Sequence, residues 1–168
     1  MKTKLGIAVT ALALIAMCGG AFAYEVTTGT ATVGQAERYG NGVTTVAWTS
    51  NADGGVVVTG INLFGQITKI VTDPGATAPS DNYDIALLDE SGSDVLLGTG
   101  NNRDTTNTES VVFGLATSGV FSTTTLYQDV NTNERFVPWR VDVYGAHTLT
   151  ISSAGKTKKG TIRIYTKR

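Results

Sequence analysis

Past residue 23 the sequence contains no cysteine, and its whole length holds one histidine, His147, and three prolines. Without thiols, this part of the chain has no access to disulfides, thiolate–zinc sites or thiol redox chemistry, so its stability must come from packing and backbone hydrogen bonds. With one histidine, any serine relay would have to use His147, and no GxSxG nucleophile elbow accompanies it. The expectation for His147 is a partly exposed histidine near a strand end. No stretch beyond residue 23 repeats its apolar residues with helical period, and none is a long hydrophobic run.

What is present is alternation. Val43–Thr49, Val56–Thr59, Ile61–Phe64, Ile67–Val71, Tyr83–Leu88, Val111–Leu115, Val120–Tyr127, Phe136–Tyr144, Leu149–Ile151 and Ile162–Ile164 are β-branched or aromatic runs. Turn clusters separate them at Asn51–Gly55, Asp73–Asp81, Asp89–Asp94, Asn101–Thr108, Asn131–Arg135 and Ser153–Gly160. Gly60 and Gly65 interrupt one long apolar series and predict bulges or a bend there. Glu25–Gln35 reads as an extended arm or first strand. The fold class expected is all-β, an antiparallel β-sandwich with a jelly-roll-like possibility, occupying 43–168 as one domain after an N-terminal segment 24–42. Within it, Ile85 and Leu87 should face the core, Val95–Leu97 should return as a strand, and Leu149–Ile151 should pair with Ile162–Ile164 as a C-terminal hairpin.

The N-terminus reads as an export signal over residues 1–23. Lys2 and Lys4 precede the apolar run Leu5–Met17, and Ala21 and Ala23 stand at the −3 and −1 positions of a cleavage site. The run is short for a membrane span, so an uncleaved anchor is the lesser alternative. Met17 stands where a small residue would precede a lipidated cysteine, which disfavours a lipoprotein at Cys18. Cleavage would leave 13 − 2 = 11 basic residues against 14 acidic ones, a net charge of −3. Six of the eleven (Lys156, Lys158, Lys159, Arg163, Lys167, Arg168) fall in the last 13 residues with no acid among them.

The segment Thr72–Thr105 resembles a family of small proteins encoded by bacteriophages and prophages, some of them counted as virion-associated. The likeness rests on the Pro74–Pro79 loop, the Tyr83–Leu96 segment and Gly100–Thr105. It is supported by Ala47–Ser50 and by the closing Ser152–Tyr165. The resemblance implies an exported or virion setting and brings no catalytic chemistry with it.

Candidate functional residues follow from charge and aromaticity. Lys156, Lys158 and Lys159 suit an anionic surface, with edge protection of an outer strand as the structural alternative. Trp139, Tyr144 and Tyr127 could offer flat apolar faces to a sugar, or simply fill the core. The acids Asp73, Asp81, Asp84, Asp89, Glu90 and Asp94 lack the alternating spacing of a calcium loop, and no pair of them is singled out for glycoside hydrolysis. Those of Asp81–Asp94 are expected on turns away from the lysines. The reading is therefore a non-enzymatic structural or interaction protein of a phage or prophage, with no cofactor or metal, whose partners are itself or other virion or surface proteins. The alternative is a secreted glycan-binding or cell-surface-binding module. Nothing in the basic spacing selects nucleic acid.

Overall fold

The computed structural model describes residues 24–114, 127–128, 134–137 and 140–168. These contain ten strands: β1 (Glu25–Thr28), β2 (Thr30–Arg38), β3 (Asn41–Thr49), β4 (Val56–Pro74), β5 (Asp84–Leu88), β6 (Glu109–Phe113), β7 (Tyr127–Gln128), β8 (Glu134–Val137), β9 (Val141–Ser152) and β10 (Lys159–Lys167). No helix occurs among the described residues. Residues 24–42 supply β1 and β2. Residues 1–23, with Ala21 and Ala23 of the expected cleavage site, lie outside the described residues, as do Trp139 and most of Val120–Tyr127.

The 19-residue β4 organises the molecule. Its first half runs between β1 and β9, and its second half between β10 and β6. One layer is thus β1-β4-β9-β5, and the other is β2-β3-β10-β4-β6-β8-β7. All the pairings are antiparallel except β6 with β8. The chain is an all-β sandwich whose layers share one strand.

The glycines explain how one strand can serve both layers. Buried residues on β4 run Val56, Val58, then Ile61, Leu63, Ile67, then Ile70, Thr72. The parity changes twice, and each change coincides with a slip in register. One falls between Val58 and Ile61 against β9; the other skips Thr68 against β10. An extra residue in a strand turns every later side chain to the opposite face, so two bulges keep the apolar residues on the core side. Gly60 takes φ 76° within the first slip. Gly65 takes φ 99° just before the stretch where pairing with β9 ends and pairing with β10 begins along β4, and a Cβ there would strike the Lys167 carbonyl. Across the sandwich, Val46, Trp48, Ile162 and Ile164 meet Ile85, Leu87, Leu149 and Ile151 in one core. Trp48 of β3 lies 5.9 Å from the ring of Tyr83 at the entry to β5.

Ile85 and Leu87 face the core, as their alternation predicts. The partner of β5 is different from the expected one. Val95–Leu97 is not a strand, because side-chain capping competes there with the ladder. The Asp94 carboxylate accepts from the amides of Leu87 (3.1 Å), Leu96 (3.0 Å) and Gly98 (2.8 Å). Leu97 then turns to φ 51°, and residues 95–100 form successive turns. They cover the free edge of β5, with the Ile85 amide donating to Gly100 and the Val95 amide to Leu87. The tight turn before them is held by Asp89, whose Oδ1 accepts from the amides of Ser91 and Ser93, with Gly92 at φ 82°. The Ser91 hydroxyl, then the Ser93 amide, hold the Asp89 carboxyl below its ordinary range.

A second correction concerns the C-terminus. β9 and β10 do not pair with each other: β9 lies between β4 and β5, and β10 between β3 and β4. Ile162 and Ile164 are therefore interior, and the lysines before them do not guard a sheet edge. Both strands alternate in the same way, so local pattern fixes which side chains face inward but not which strands become neighbours.

Candidate interaction surface

At one end of the sandwich three loops are knitted together. Ser50–Gly55 follows β3, Gly75–Ser80 follows β4, and Ser153–Lys158 joins β9 to β10. The Ser50 hydroxyl donates to the Gly155 carbonyl (2.6 Å) and accepts from the Lys158 amide (2.8 Å). Backbone bonds run from Ala154 to Gly54, Ser80 to Ala154, Lys159 to Thr77 and Gly75 to Lys159. Gly155 at φ 80° lies against the Ser80 hydroxyl, where a Cβ would collide. The basic loop is thus a fixed platform. Lys156 is exposed on it and Lys159 is exposed where it enters β10, while Lys158 is half-buried with its alkyl chain along Gly155.

The acids lie only partly where expected. Glu90, in the turn before Asp94, lies beside Gly145 in the middle of β9, far along that strand from Ser153. Asp81 does not fit, because the Ser80 bond to Ala154 brings it next to the basic loop. Most of the acids serve the backbone or a neighbouring cation. Asp84 accepts from the Asn102 amide, Asp81 from Asn82, and Asp73 faces Arg163 at 3.7 Å.

The other candidates lie on different faces. Tyr144 is 86 % exposed on the outer side of β9. It stands opposite Phe64 of β4, with the rings 5.2 Å apart and nearly perpendicular, and the Arg168 guanidinium lies 5.5 Å from the Phe64 ring. Beside them is a cleft of about 270 Å³ lined by Gln35, Glu37, Asn62, Phe64 and Arg168. Arg168 donates to Glu37 at 2.8 Å, and the Gln35 amide donates to the Asn62 carbonyl at 2.8 Å. Trp139 and the side chain of Tyr127 lie outside the described residues. No family model, curated protein or solved structure matches this chain.

His147 is not the strand-end residue expected. It is buried within β9, and its Nδ1 lies 3.0 Å from the Gly145 carbonyl, which can only accept, so that nitrogen carries the hydrogen. Its inward place follows from sharing parity with Leu149 and Ile151.

A buried polar cluster went unread in the sequence. Arg103 is buried, and its Nε lies 3.5 Å from the Glu109 carboxylate. Glu109 also accepts from the Asp104 amide, and Asp104 in turn holds Thr106 and Asn107. The Asn107 amide side chain and the Thr106 amide keep the Asp104 carboxyl far below its ordinary range. Tyr83 bridges to Arg103 through the backbone, and burial pushes its hydroxyl up from 10.0 to about 12. The folded chain holds this proton more tightly than the unfolded one. The associated stability is complete below pH 10 and should be lost as pH rises toward 12. Alkaline unfolding of wild type and Tyr83→Phe, followed by circular dichroism, checks this. The variant should lose less stability across that window, and parallel curves would rule the titration out.

Proposed function

We infer that the chain is a non-enzymatic structural or interaction protein, exported or carried on a virion, that docks on a larger assembly through its knitted loop end. The supporting observation is the platform itself. Two exposed lysines sit on, and immediately after, a loop whose backbone is fixed by bonds to both neighbouring loops. A preorganised charged surface loses little conformational freedom when it binds, and a basic one suits an acidic partner. The phage-like pattern across Thr72–Thr105 supports the setting.

A second reading is favoured by Tyr144. An exposed ring beside a cleft lined by an amide, a carboxylate and a guanidinium has the elements of a sugar site. One pair of experiments separates the two. The purified chain is sedimented with particles from an induced lysate, and run through a gel containing host-envelope polysaccharide. In the first reading, Lys156→Glu with Lys159→Glu abolishes sedimentation with particles while the melting temperature stays nearly unchanged. Retardation in the polysaccharide gel that is lost in Tyr144→Ala would replace that reading with the second.

A further inference from the structure

We propose that β2 is a self-pairing edge, along which two copies of this chain join antiparallel about a two-fold axis at Gly34, extending one layer of the sandwich across both molecules. This goes beyond the docking function and holds whichever partner the loop end takes.

Edge strands carry unpaired amides and carbonyls, and proteins usually blunt them with charge, proline, bulges or a covering segment. The edge of β5 is blunted in this way by residues 94–103. β2 is not. It pairs with β3 alone, in one unbroken register from Thr30 to Arg38, and no described strand lies beyond it. Its nine residues, roughly 30 Å of extended chain, contain no proline and no bulge. The first seven, Thr30–Ala36, carry no charge.

The register of such a pair can be derived. β2 and β3 are joined by the two-residue turn Tyr39-Gly40, both at positive φ (51° and 74°), so Arg38 and Asn41 are a hydrogen-bonded closing pair. The even-numbered residues of β2 therefore direct their amides and carbonyls to β3. The odd-numbered ones, Ala31, Val33, Gln35 and Glu37, direct theirs outward. A second β2 placed antiparallel with Gly34 opposite Gly34 aligns Ala31 with Glu37 and Val33 with Gln35. Those pairs supply about eight ladder hydrogen bonds, and this register alone overlaps the whole strand. It sets Glu37 against Ala31 and Arg38 against Thr30, so no like charges face each other. Ala31 and Val33, which are only partly buried against the core in one chain, would be covered by the neighbour. The contact is isologous and closes as a dimer.

Gly34 also provides the test. A Cβ built there meets nothing within 4 Å, so a side chain at this position leaves the single chain undisturbed. The chain from residue 24 onward is examined by sedimentation velocity over a range of concentrations. Wild type and Gly34→Ala should rise to roughly twofold monomer mass, and added salt should not reverse this. Gly34→Lys and Gly34→Glu should each remain monomeric with unchanged circular dichroism, because like charges directly opposite on a ladder repel. An equimolar mixture of those two should recover the dimer. Monomeric wild type at every concentration overturns the proposal, as does a Gly34→Lys dimer. A mixture that stays monomeric overturns the two-fold axis at Gly34.

Discussion

Glu109→Ala should lower the unfolding free energy by about 3–5 kcal/mol, the typical cost of stranding one member of a buried ion pair. The side chains of Arg103 and Glu109 are only 1 % and 9 % exposed, so removing the carboxylate takes a charged partner away from a guanidinium held in the interior. The substitution also removes the acceptor of the Asp104 amide, and with it one tie between the loop after Arg103 and the start of β6. Urea unfolding measures the loss, and a value under about 1 kcal/mol would mean that solvent reaches the pair. Arg103→Met combined with Glu109→Leu should cost less than Glu109→Ala alone, because the desolvation of both charges disappears together.

Leu87→Ala should cost about 2–5 kcal/mol. Leu87 is fully buried, opposite Leu149 in the ladder between β5 and β9. Its removal opens a cavity between the layers that the flanking strands cannot close without breaking their register. The same unfolding experiment reads it, and a loss below about 1 kcal/mol would show that the layers relax into the space.

Much of this was legible in the residues. The alternation through Tyr83–Leu88 placed Ile85 and Leu87 inward, the Asp89–Asp94 cluster marked its turn, and Gly60 marked the first irregularity of β4, while Gly65 marked a left-handed position short of the second, at Thr68. Those features depend on neighbours along the chain. The partners of β9 and β10 do not, since the Ser153–Lys158 loop can close a hairpin or cross to the other layer, and bonds from Ser50 and Ser80 help hold the crossing. Val95–Leu97 misled because three apolar residues suggest a strand. The deciding group is the carboxylate of Asp94, just before them. Arg103 and Glu109 escaped notice because charge normally marks surface, and only tertiary contact reveals a buried pair. Tyr144 was legible as an aromatic, but its outward direction depended on the parity of β9, which the isolated segment did not fix.

The shared strand also constrains the order in which the molecule can form. β4 ends at residue 74, yet its main partners are β9 and β10, which begin at residues 141 and 159. Neither layer can close until segments more than sixty residues apart have met, so the loop-closure cost precedes nearly all of the burial. A ribosome-bound fragment lacking β10 would hold β3 and the second half of β4 without the strand that separates them. Folding should therefore be slow and should begin only once nearly the whole chain is available. A protein built this way stays open while it is being made.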